Sequence, residues 1–164
     1  MTIFVKNKHT LQIEDFQFEC CIGKKGSALK KKEGDKKTPR GTFAIEHLYY
    51  RTDRIKKLST VLKCIKIKKN MGWCNDISLP KKYNKLIKIN KNIKHEKLKR
   101  IDHKYDLLIP IKYNFTKPKI GLGSCIFIHL TKNYKPTAGC VALNEKDFLI
   151  MLKLIKKNSK IKIF

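Results

Sequence analysis

Apolar and polar residues alternate at the start of the chain and predict β structure there. Residues 2–6 and 11–22 read as two strands around a turn at Asn7-Lys8-His9, with Leu11, Ile13, Phe16 and Phe18 set among polar neighbours. The alternation breaks once, at Glu14-Asp15, which predicts a bulge or bend inside the second strand. Residues 23–41 lose this periodicity and carry Gly23, Gly26, Gly34, Pro39 and Gly41 among lysines. A loop this long in a compact domain is usually functional or disordered. Residues 42–50 and 61–67 return to strand patterning. Residues 71–102, with Pro80 and scattered lysines, predict an irregular, partly helical insertion over one end of the sheet.

Residues 105–111 and 124–130 are continuous apolar runs of strand length. The spacing predicts a helix over 144–157: Asn144 can cap it, Asp147 suits the positive end of its dipole, and Phe148, Met151, Leu152 and Ile155 repeat on one face. Ile161 and Ile163 alternate with lysines in a short closing strand. The pattern as a whole predicts a mainly β fold with one firm helix toward the C-terminus. Neither a repeat nor a linker interrupts it, so residues 1–164 are expected to form a single domain.

Composition narrows the partners. Apolar residues make up 41% of the 164 positions, enough for a packed core despite a net charge of +26. Such a charge suits an anionic partner: nucleic acid, anionic lipid or an acidic wall polymer. Of the 39 basic residues, however, only Arg40, Arg51, Arg54 and Arg100 are arginines. Phosphate recognition favours arginine for its planar fork, so nucleic acid is not the expected partner, and the lysine excess reads chiefly as coding bias. Lys30-Lys31-Lys32 and Lys36-Lys37 read as a solvated loop before a phosphate grip. The first ten residues lack the apolar core of a signal peptide, and no run of 18 apolar residues predicts a transmembrane helix. Six cysteines, at 20, 21, 64, 74, 125 and 140, show neither C-x-x-C pairs nor zinc spacing, so no metal, cofactor or disulfide framework is expected.

The chemistry concentrates in residues 124–143. His129 ends an apolar run in which Cys125, Phe127 and His129 share one face, and Cys140 follows Gly139 eleven positions later. A histidine that takes a thiol proton and a cysteine that attacks a carbonyl suffice for acyl transfer. Amide N–H groups in a turn at Gly139-Cys140, just ahead of the helix, can form an oxyanion hole. Taken alone, the pair is also compatible with a buried structural thiol and a core histidine. Trp73 and Tyr83 are candidates to stack a sugar or base, although Trp73 reads first as a core or lid residue, and His95 with Glu96 is a candidate lining of the cleft. No partner is evident for His9, His47 or His103.

The chain resembles the L,D-transpeptidase catalytic domain (YkuD) family. The resemblance rests on His129 followed by Thr137-Ala-Gly-Cys140, and on Gly23-Lys-Lys-Gly26, Lys32-Glu-Gly-Asp35 and Thr38-Pro-Arg-Gly-Thr42. Met71-Gly-Trp-Cys74, His95-Glu96 and Gly123-Ser124 are similar to one branch of that family. It implies a β-sandwich or barrel with a helix after the catalytic cysteine. Cys140 would be the nucleophile on a peptidoglycan stem tetrapeptide, and His129 would accept its proton and return it to the departing D-alanine. Gly139 would offer an oxyanion N–H, while Thr137, Ser124, Trp73 and His95 would serve substrate binding. An amine of a second stem would resolve the thioester, without metal or cofactor. Periplasm or cell envelope would be the location, although the missing signal leaves the cytoplasm open. Two positions depart from the family: Ala138 stands where many members have histidine, and Ala142 where many have arginine or asparagine. Water as acceptor, giving an L,D-carboxypeptidase or amidase, and a non-catalytic basic module for nucleic acid or anionic polymer stay as alternatives.

Overall fold

The computed structural model describes residues 1–29 and 32–164; Lys30 and Lys31 of the lysine run fall outside the described residues. The N-terminal alternation forms β1 (Thr2–Val5), β2 (Thr10–Ile13) and β3 (Phe16–Glu19). The break at Glu14-Asp15 is a hairpin turn rather than a bulge, with Glu14 at φ +51° and Ile13 facing Phe16. The expected second strand is therefore two strands. In the loop at 23–41, β4 (Ser27–Ala28) and β5 (Thr38–Pro39) pair in parallel.

The run at 42–50 divides into β6 (Gly41–Ala44) and β7 (Leu48–Tyr50), which join different sheets, and β8 (Cys64–Lys66) occupies the next predicted strand. Residues 71–102 depart from expectation. They form β9 (Met71–Cys74), β10 (Leu86–Lys88) and β11 (His95–Lys97), one antiparallel sheet in the order β10-β9-β11, with no helix among its described residues. The strands are only three or four residues long, too short for alternation to register against the lysine background.

Then follow β12 (Leu107–Pro110), β13 (Phe127–Leu130), β14 (Val141–Leu143), α1 (Glu145–Leu154) and β15 (Lys160–Ile163). Asn144 caps α1 as expected, its Oδ1 accepting the Asp147 N–H at 2.8 Å. The sequence reading has no counterpart of β14; three strand residues separate Cys140 from the helix cap.

Two five-stranded sheets form a sandwich, β3-β2-β1-β15-β6 and β14-β13-β12-β7-β8. Ile3, Leu11 and Ile161 of the first meet Leu107, Ile109 and Ile128 of the second in the main core, and Phe148, Met151 and Leu152 of α1 close it. The second sheet is covered on both faces, which explains its continuous apolar runs. On its far face Tyr49, Leu108 and Phe127 pack with Trp73 and Leu98 of the 71–102 sheet. Among the described residues no helix is long and apolar enough to cross a membrane. Among the described residues the molecule is mostly β with a single helix near the C-terminus.

Candidate active site

Register decides what meets in the second sheet. β13 and β14 run parallel, with Ile128 beside Val141, His129 beside Ala142 and Leu130 beside Leu143. Ile128, Leu130, Val141 and Leu143 turn to the main core, so Phe127 and His129 project from the opposite face. Cys140 sits one step before β14 on that same face, beside Phe127. His129 and Cys140 open into one cleft of about 600 Å³, with Thr137, Tyr105, Arg100 and Glu96 also in its walls.

The nucleophile candidate is held from two sides. Cys140 Sγ accepts the Phe127 N–H at 3.4 Å and donates to the Cys125 carbonyl at 3.3 Å. Cys125 lies in the left-handed region, at φ +56°, which interrupts the strand geometry the sequence predicts from 124. Asn84 keeps it there: its buried Oδ1 accepts both the Cys125 N–H (3.1 Å) and the Trp73 indole N–H (3.0 Å). Gly139, at φ +144°, adopts a conformation that side chains disfavour. Its N–H donates to Thr137 Oγ1 (3.1 Å), and that hydroxyl donates to the Cys140 carbonyl (2.7 Å). The expected oxyanion donor is thus engaged by Thr137 at rest.

His129 is 6% exposed, and its Nδ1–H donates to the Leu130 carbonyl at 2.7 Å. A carbonyl can only accept, so Nδ1 carries the proton and Nε2 is the basic nitrogen of the neutral ring. Burial draws its pKa down to about 4. The Tyr105 ring meets it edge-on, centroids 5.3 Å apart.

The other sequence-predicted site residues lie elsewhere. Trp73 is 2% exposed in the core, in edge contact with Tyr49 and Phe127. Ser124 is buried and donates to Glu33 Oε2 (2.8 Å), which also accepts from Tyr83 (2.5 Å). These bonds tie the glycine-rich loop to the sandwich. His95 donates from Nδ1 to the Ile93 carbonyl, and its Nε2 is buried; its neighbour Glu96 lines the cleft instead. The loop also reaches the turn that carries Cys140 directly, since Lys24 N–H donates to the Thr137 carbonyl and Thr137 N–H to the Ile22 carbonyl, both at 2.9 Å. Tyr105, Asn84 and Cys125 carried no motif in the sequence. Arg100 was visible only as one of four arginines.

A thiol and a neutral imidazole share one cleft beside adjacent parallel strands of a β-sandwich, an arrangement with the groups that nucleophilic cysteine chemistry needs. The family model for the L,D-transpeptidase catalytic domain, YkuD, matches residues 1–163, and the chain belongs to that family. Searches of curated proteins and of solved structures returned no match. Membership implies L,D-transpeptidase-like activity on peptidoglycan peptides, in a family usually found in the periplasm or cell wall.

Proposed function

We propose that this chain is a one-domain L,D-transpeptidase-type acyltransferase that remodels peptidoglycan stem peptides through a thioester on Cys140. The observation that carries the reading is the parallel register of β13 and β14, which puts His129 and Cys140 into one cleft. Cys140 Sγ attacks the carbonyl carbon after the third stem residue while His129 Nε2 takes the thiol proton. The tetrahedral oxyanion collapses, the C–N bond to D-alanine breaks, and His129 returns the proton to the departing amine. An acceptor amine then attacks the thioester carbonyl, an amide forms, and the thiol is restored. Gly139 N–H reaches the oxyanion only by releasing or sharing Thr137 Oγ1. Tyr105 and the Leu130 carbonyl orient the base. The lysine-rich surface suits residence on an anionic wall polymer, in the periplasm or envelope.

The test is incubation of the purified protein with tetrapeptide muropeptides, read by mass spectrometry. Cross-linked dimers are expected from the wild type, and none from Cys140→Ala. Tripeptides without dimers would transfer the reading to an L,D-carboxypeptidase. Unchanged substrate together with a folded protein that forms no carbapenem adduct would overturn it.

A further inference from the structure

Arginine is scarce in this chain, with four residues among 39 basic ones, yet three of the four converge on residues 100–106. That segment forms one wall of the cleft. Buried Arg51 forks onto Asp53 (2.8 and 2.6 Å) and donates from Nη1 to the Arg100 carbonyl (2.7 Å). Arg54 donates to the carbonyls of Ile101 (2.8 Å) and Asp102 (3.1 Å) and to the Asp106 carboxylate (3.1 Å). These two guanidiniums fix the wall's backbone.

The third arginine lines the cleft itself. Arg100 Nε and Nη2 fork onto Asp102 (2.9 and 2.7 Å), and its plane lies over Tyr105, 5.0 Å from the ring centroid. The same ring meets His129. A lysine offers neither the fork nor the flat face, so the lysine-rich composition does not explain this residue. Nη1 makes no hydrogen bond among the described residues, and its nearest paired carboxylate, Glu96, stands 3.8 Å away, beyond hydrogen-bond length. Lys104 lines the same wall, and its carbonyl accepts the N–H of Leu130, the neighbour of the base. On the strand beside His129, Ala142 is fully buried and offers no polar group.

We propose that Arg100, seconded by Lys104, is the specificity-determining residue of this cleft and binds a free carboxylate of the donor peptide through Nη1. The inference rests on the peptide-acyltransferase reading above. A carboxylate at the peptide's C-terminus and one on a side chain share this chemistry.

Calorimetry on Cys140→Ala protein separates the two, using the free tetrapeptide, its C-terminal amide and its side-chain amide. One amide is expected to bind about tenfold more weakly than the free peptide, the loss of one charge-assisted hydrogen bond. Adding Arg100→Gln should erase that difference, and Arg100→Lys should restore only part of it. Lys104→Gln, at an exposed position, should shrink it about threefold and keeps the test valid if Arg100→Gln fails to fold. Equal binding of all three peptides, binding of none, or discrimination surviving in every variant overturns the inference. In parallel, wild-type protein is checked for acylation at Cys140. Acylation without carboxylate preference leaves the enzyme reading standing and removes this one. Carboxylate-selective binding without acylation does the reverse.

Discussion

His129 shows how one residue couples the site to the fold. Burial lowers its pKa to about 4 from 6.5. Between those values the unfolded chain binds a proton that the native protein rejects. The stabilising contribution is therefore full above pH 6.5 and declines as pH falls toward 4. At 1.36 kcal/mol per pKa unit, the loss is on the order of 3 kcal/mol. Denaturant titrations from pH 7 to 4 should show this slope in the wild type and a shallower one in His129→Gln. Acylation should follow the same group: the acid limb of kcat/KM is expected near pH 4, where the base is lost, rather than near 6.5. An acid limb at the ordinary histidine value would mean that the buried neutral ring is not the working form.

Among the elements, those with a strong period were legible and those positioned by tertiary contacts were not. Helix α1 and its Asn144 cap, and the apolar strands β12 and β13, stood in the sequence because periodicity and burial coincide there. The 71–102 sheet did not, since β10 and β11 are three residues each with no apolar alternation and take their order from pairing with β9. Strand β14 was hidden for a related reason: three apolar residues between a turn and a cap carry no period of their own. At the site, His129 and Cys140 were readable from motif spacing. Asn84 and Cys125 were not, because their roles depend on a distant loop returning to β13. Gly23 lies between these cases. Its place in the glycine-rich loop and in Gly23-Lys-Lys-Gly26 is legible, but its packing is not: a Cβ there would stand 2.5 Å from the Lys36 carbonyl oxygen and 2.9 Å from the Thr38 nitrogen. The same segment bonds Thr137. Gly23→Ala should push the 36–38 segment away, destabilising the protein by about 1–3 kcal/mol and slowing acylation of Cys140. Paired thermal melts and acylation rates check this; a slower rate with an unchanged melt would assign Gly23 to the site alone.

For the whole molecule, charge is the dominant unresolved force. Thirteen acidic residues face 39 basic ones, and the best-paired acids (Asp53, Asp102 and Asp106) are used by the arginines beside the cleft. Among the described residues lysines meet carboxylates in few places, such as Lys112 with Glu46 at 2.8 Å and Lys156 with Glu14 at 3.9 Å. Repulsion among the lysines therefore outweighs attraction across the surface. Added salt screens exposed charges beyond about 8 Å at 0.15 M, so it relieves that repulsion more than it weakens the close, partly buried pairs. The melting temperature should rise between low salt and 0.3 M sodium chloride, by about 2–4 °C for each kcal/mol recovered. A soluble polycarboxylate should raise it at low salt, and the gain should vanish at 0.3 M, because binding to an anionic polymer and relief of self-repulsion draw on the same charges. A melting temperature that falls with salt would show instead that the ion pairs beside the cleft dominate the balance. The lysine excess would then be electrostatically silent, and retention on an anionic wall polymer would lose its physical basis.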